Sequence, residues 1–175
     1  PGVAKLAKAG LASDSTPDLT NTKEATVAAV GSGGWRMYFE YAAHGASLIG
    51  QASADDLDGP RDKIAQSSIT PRRDKWDCWH LSAGPIVGEG TKRPTMFYNG
   101  ATQDAKWRIG WATFDESLTK LAERCEDPLI CPEGSLSEGS TDIAFAASAV
   151  ERDGKVQLYY SQSDQDLRCA TIRRG

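Results

Sequence analysis

The sequence is poor in the residues that build metal and redox centres. Two histidines, His44 and His80, and four cysteines, Cys78, Cys125, Cys131 and Cys169, are scattered over 175 residues, and no two cysteines form a CxxC pair. A tetrahedral zinc site is therefore not expected, and nothing in the chain calls for a cofactor. Cys125 and Cys131 flank a short loop and could bridge in an oxidising compartment; four free or buried thiols in a cytoplasmic protein is the reading placed first. Neither Asn21 nor Asn99 lies in a glycosylation sequon. No apolar run approaches the length that spans a bilayer. Basic excess is also missing: the formal net charge is −4, which disfavours nucleic acid and anionic membranes as partners. The serine-nucleophile elbow GxSxG and the zinc-protease HExxH are absent. The glycine-rich Gly31-Ser32-Gly33-Gly34 lacks the Lys-Ser/Thr that completes a phosphate cradle, so it reads as a hairpin turn.

What the chain does have is an internal repeat. Three segments share one pattern: a strand of small apolar residues, a turn, an aromatic strand, a polar loop and a third apolar strand. The aromatic strands begin at Met37, Met96 and Leu158, and the third strands at Ile49, Ile109 and Leu167. The turns Gly31–Gly34 and Arg152-Asp153-Gly154 supply residues that tolerate positive φ. The runs around them are rich in Val, Ile, Tyr, Phe and Trp, which suit a pleated, half-buried surface.

A unit of three or four antiparallel strands cannot bury both of its faces alone. It must stack on copies of itself, and radial stacking gives a propeller. The expected class is therefore all-β, with antiparallel β-propeller blades. Their expected bounds are about 24–72, 73–134 and 135–175, and residues 1–23 are an extension or the edge of a neighbouring blade. Inner strands are expected near 24–30, 80–87 and 142–150. Phe114 to Leu121 has helical spacing of apolar residues, but the matching stretch of the first repeat, 54–60, is broken by Gly59 and Pro60. Both stretches read as turns between blades, with at most one helical turn in the second.

Several motifs resemble a known superfamily. Trp76-Asp77, His80 and Gly84-Pro85-Ile86 resemble an inner strand of the five-bladed propeller glycosidases, which include the arabinanase-like, fructosidase-like and mannoside-phosphorylase-like enzymes. Met96 to Gly100 followed by Arg108 to Thr113 resembles their aromatic strand and the strand after it. Asp127-Pro128, Ile130 and Pro132 resemble the segment that follows. Asp142 to Phe145, leading to Leu158-Tyr159-Tyr160 and Asp164, is most similar to the last blade of the mannoside phosphorylases, glycoside hydrolase family 130. The resemblance covers roughly residues 24–174 and implies about three of five blades from the C-terminal part of a ring, a glycoside substrate, and remaining blades supplied by a longer chain or a second chain. Where those phosphorylases carry a histidine that helps hold phosphate, this sequence has Asn99, and no residue here matches their general acid. The resemblance therefore implies a glycoside hydrolase-like protein rather than a phosphorylase. A non-catalytic carbohydrate-binding or structural propeller is the alternative.

Cleaving a glycosidic bond needs two carboxyl groups facing each other across it. In a propeller they belong near the axis, where inner strands meet. Glu24, Asp77 and Asp142 lie at or just before inner strands and are the catalytic candidates. Asp77 stands out because Trp76 and Trp79 flank it, and indoles both disfavour a charged carboxylate and stack on sugars. The candidates for sugar contact are Asp164, Asn99, Trp76, Trp79, His80, Glu40 and Tyr98. Glu40 holds the place in the first repeat that Asn99 holds in the second. The bland reading for each acid is a solvated turn residue, and for His80 a satisfied structural histidine. Trp35, Trp107 and Trp111 are expected to pack between blades. Met37, Phe39, Met96, Tyr98, Leu158 and Tyr160 alternate along the aromatic strands, so period two sends them to one inter-blade face.

Overall fold

In a computed structural model, residues 18–58, 65–132 and 142–173 are described. They form three antiparallel sheets and no helix. The first holds β1 (Asp18–Ala29), β2 (Trp35–Ala43), β3 (Ala46–Ala54) and the short β4 (Ala65–Gln66), in that order. The second runs from β5 (His80–Ser82) through β7 (Thr95–Ala101) and β8 (Trp107–Phe114) to β9 (Leu121–Arg124), and β6 (Ile86–Val87) continues the inner edge against β7. The third holds β10 (Ala144–Arg152), β11 (Lys155–Gln162) and β12 (Asp166–Arg173). The expected inner, aromatic and third strands fall on these elements. β1 differs by starting at Asp18, six residues before the expected place. The remainder of the expected N-terminal extension, residues 1–17, lies outside the described residues.

Period two explains how the sheets stack. In β7, Met96 and Tyr98 pack with Tyr38, Ile49, Leu81 and Phe114 in a core between the first and second sheets. Phe97, on the opposite face of β7, packs with Ile109, Val156, Leu158 and Tyr160 between the second and third. Met37 and Phe39 share a face with Tyr41, in a smaller cluster on the outer flank of the first sheet. The six alternating residues thus face the preceding side of their own sheet. All but Met37, which is half-buried, are buried.

The 114–121 stretch is a turn, because Asp115 caps it. Its carboxylate accepts the backbone N–H of Thr119 and of Lys120 at 2.9 and 3.0 Å, and these bonds draw its carboxyl below the usual carboxylate range even though burial opposes them. Leu118 takes φ 55° and buries its side chain, which a helix could not allow here. The Tyr38 hydroxyl donates to the Leu118 carbonyl and ties this turn to the first sheet.

Candidate functional site

Each inner strand carries a bulge. In β1, Lys23 pairs with Glu40 and Thr26 with Tyr38, so Glu24 and Ala25 together oppose Phe39. In the second sheet, Ser82 pairs with Asn99 and Ile86 with Met96, leaving an extra residue in the 83–85 stretch. Gly84 is obligatory there, because a Cβ would lie 1.9 Å from the Phe97 carbonyl oxygen. In β10, Ala147 is the extra residue between the pairs Ala146–Tyr160 and Ser148–Tyr159. Such bulges bend a strand and re-aim side chains. Here all three line one cavity of about 350 Å³, walled by Glu24 to Thr26, Ala83 to Ile86 and Phe145 to Ala149.

Glu24 stands at φ 50°, a left-handed conformation that a non-glycine residue adopts at a cost. It also borders a second cavity, of about 260 Å³, with Lys23, Glu40, Trp107, Ile143, Phe145, Ser161 and Asp164. Three of the sequence-derived site residues therefore meet on one cavity: Glu24 from the β1 bulge, Glu40 from β2 and Asp164 from the β11–β12 turn. Glu40 is buried and paired with Lys23 at 3.4 Å. Asp164 sits at φ 53° beside Ser163 at φ 55°, a left-handed pair that turns its exposed side chain back toward the cavity.

The other candidates lie elsewhere. Asp77 is fully buried in an ionic cluster. Its carboxylate accepts from Arg72 Nε at 3.0 and 3.1 Å, from Arg124 at 2.6 Å and from the Tyr98 hydroxyl at 2.7 Å. Burial pushes the Tyr98 phenol far up, so it stays a neutral donor. Trp76 lies flat on Tyr98, ring centroids 5.5 Å apart, and donates to the Glu126 carbonyl. Gly100 and Gly110 leave room for that indole: a Cβ on either would come within 2.8 Å of its ring. The cluster joins β7, β9 and the segment before β5, and its carboxylate is enclosed by the protein's own donors.

Asp142 is held by Arg108, with contacts at 2.6 and 3.1 Å. Asn99 is buried and bonded twice to Ala146, whose N–H donates to Oδ1 at 2.7 Å and whose carbonyl accepts from Nδ2 at 3.3 Å. It pins β10 to β7 beside the β10 bulge. Trp79 and His80 both grip the β2–β3 turn of the first sheet. Trp79 Nε1 donates to the Gly45 carbonyl at 3.2 Å, and the Ser47 N–H donates to His80 Nδ1 at 3.1 Å. Sequence reasoning missed Trp107, which it assigned to packing. The indole stacks on His80 and meets Phe145 edge-on, yet it also walls the cavity. Among the described residues no three potential ligands converge on a metal site, and Cys78, Cys125, Cys131 and Cys169 are free thiols.

Solved structures that superpose on this chain decide the fold. A β-1,2-mannobiose phosphorylase from Listeria innocua, solved with β-1,2-mannobiose, superposes with a TM-score of 0.77 at 18% identity, over 87% of this chain and 44% of its own. The fold is that of a β-propeller. A structure from the family 130 mannoside phosphorylases, a family containing glycoside hydrolases that target β-1,2 mannosidic linkages in Candida mannan, gives 0.63 at 20% identity, over 86% of this chain and 48% of that one. A GDP-Man-dependent mannosyltransferase from Leishmania mexicana gives 0.61 at 16%, over 87% and 51%. This chain thus spans about half the length of these propellers. No protein-family model and no curated protein matches its sequence.

Proposed function

We propose that the cavity bounded by Glu24, Glu40, Asp164 and Trp107 binds an oligosaccharide and is the half of a glycoside hydrolase site that this chain supplies. The observation that carries the reading is the convergence of three carboxylates, from β1, β2 and the β11–β12 turn, on one aromatic-walled cavity, one of them placed at a bulge. Carboxylates accept hydrogen bonds from sugar hydroxyls, and aromatic faces cover the apolar face of a pyranose ring. Glu24, which borders both cavities, is suited to act on a bond held in one of them with water from the other. Glu40, fixed by Lys23, is suited to hold hydroxyls. The similarity to a propeller that holds β-1,2-mannobiose makes a mannoside the first substrate to try.

Ring completion belongs to the same proposal. The residues equivalent to Tyr159 in the first two sheets, Tyr38 and Phe97, are buried under the next sheet, whereas Tyr159 is 47% exposed. Beside it Val150 and Leu167 are 55% and 87% exposed. Such a flank is what an adjacent blade covers, so further blades, from a longer chain or a second one, are expected to pack there and bring the second carboxyl group.

One observation favours a second reading, a sugar-binding propeller without turnover. Two of the three acids expected at the axis, Asp77 and Asp142, are engaged by arginines. Incubating the chain, together with the blades that complete the ring, with β-1,2-mannobiose, with and without inorganic phosphate, separates the readings. Mannose released without phosphate supports hydrolysis, binding without release supports the second reading, and absence of both sinks the assignment to this cavity.

A further inference from the structure

We propose that Trp107 is the stacking platform for a sugar ring in this cavity and that His80 is the positioning residue that holds it. The proposal rests on the carbohydrate reading above. Trp107 opens β8, and its backbone N–H donates to the Asp142 carbonyl at 3.0 Å, which fixes the root of the side chain against the third sheet. Its indole is supported on two sides. His80 stacks on it with centroids 5.7 Å apart and planes at 29°, and Phe145 meets it at 5.3 Å and 63°. Half-buried, the indole keeps surface on the cavity that Glu24, Glu40 and Asp164 share. Carboxylates beside an aromatic wall are what a pyranose, with polar edges and an apolar face, requires.

His80 has no surface on that cavity, so its influence passes through the indole. Its Nδ1 accepts the Ser47 N–H, which leaves the ring proton on Nε2 and fixes the ring plane. Trp79 holds the same turn through Gly45, so the acceptor is presented to a stationary backbone. The charged group that acts on the imidazole is Glu40, from β2, itself paired with Lys23 of β1. Protonating Nδ1 would set one N–H against another; the Ser47 bond breaks, the imidazole moves and Trp107 loses its support. Burial holds the imidazole in its neutral form, below the ordinary histidine range, against the opposing pull of Glu40.

The experiment follows the Trp107 indole N–H resonance, assigned with Trp107→Phe, and the His80 imidazole in the ligand-free chain as pH falls, then titrates β-1,2-mannobiose calorimetrically. The indole signal is expected to move with the imidazole proton in the wild type and to stay still in His80→Gln, whose amide oxygen accepts from Ser47 without titrating. Mannobiose affinity is expected to fall about tenfold in Trp107→Ala, and to fall with the same proton in the wild type but not in His80→Gln. An indole signal blind to the imidazole proton in the wild type overturns the positioning role, whether or not sugar binds. Equal affinity in Trp107→Ala overturns the platform. If the signals are coupled but the wild type binds no mannobiose, the carbohydrate reading fails and the platform with it, while the His80–Trp107 coupling stands.

Discussion

The Tyr98 hydroxyl donates to Asp77 Oδ2 at 2.7 Å, and neither side chain reaches solvent. Arg124 completes the contact twice over, donating from Nε to the same hydroxyl at 3.0 Å and resting its guanidinium 4.7 Å from the centre of the Tyr98 ring. A carboxylate enclosed by two arginines and a phenol, with no exposed surface, holds structure together and is out of reach of substrate. Replacing Asp77 by Asn removes the negative charge that both Arg72 and Arg124 contact. The expected cost is about 3–5 kcal/mol of folding stability, read from urea unfolding, with mannobiose affinity of the folded fraction unchanged. Full stability in Asp77→Asn would contradict the structural role.

Glu24 is exposed and makes its contribution at the cavity, so Glu24→Gln should leave the melting temperature within about 1 °C, as expected for a surface change. Cleavage, measured on the chain together with whatever completes the ring, should fall roughly 10²–10⁴-fold. A variant that cleaves at the wild-type rate would remove Glu24 from the mechanism.

Two core predictions separate a covered flank from an open one. Met96 is fully buried between the first and second sheets, so Met96→Ala should cost about 2–5 kcal/mol. Tyr159→Ala should change the stability of the isolated chain by no more than about 0.5 kcal/mol, because that face is open. In a completed propeller the same substitution should become markedly destabilising. Sedimentation of the purified chain complements this: self-association or capture of further blades is expected, and a thermally cooperative monomer would raise the binding reading above the enzyme.

Glycoside cleavage should not depend on phosphate. Asn99 is bonded on both sides to Ala146, and Lys23, the cation lining the cavity, is matched by Glu40. With Glu24 and Asp164 also present, the lining carries three carboxylates to one ammonium, a poor seat for a phosphate dianion. Strict dependence of mannobiose breakdown on added phosphate would refute this.

The pH dependence follows from His80. Its folded-state pKa is lowered by burial, so folding favours the neutral imidazole. The stability it contributes is complete above the ordinary histidine pKa of about 6.5 and is lost as pH falls from there through the lower folded value. Thermal melts between roughly pH 7 and pH 5 should decline in the wild type, and His80→Gln should remove that part of the decline.

Much of the architecture was legible because strand pairing and blade stacking repeat locally. Alternation in Met96-Phe97-Tyr98 reports both faces of β7 at once, and the turn at Asp153-Gly154 needs positive φ at both residues, as observed. The site was less legible. Trp76 and Trp79 beside Asp77 look like a sugar site in one dimension, yet Arg72 and Arg124, the latter 47 residues away, close around that carboxylate in three. Nothing in the sequence near Trp107 shows that His80 lies behind it. Nor does anything near Lys23 signal that the strand will bulge, because a bulge is a mismatch in count between two strands and is visible only once they are paired.

By itself the sequence determined the all-β class and the three repeats, and it offered Glu24, Glu40 and Asp164 among a longer set of candidate site residues. Those properties follow from period-two patterning and turn chemistry, which act over a few residues. The tertiary structure alone decided which acids meet arginines and which meet an open cavity. That choice depends on Arg108, Arg124 and Lys23 arriving from other strands and on Arg72 folding back from the loop that carries Asp77, and a carboxylate's role is set by the charges that fold brings within a few ångströms of it.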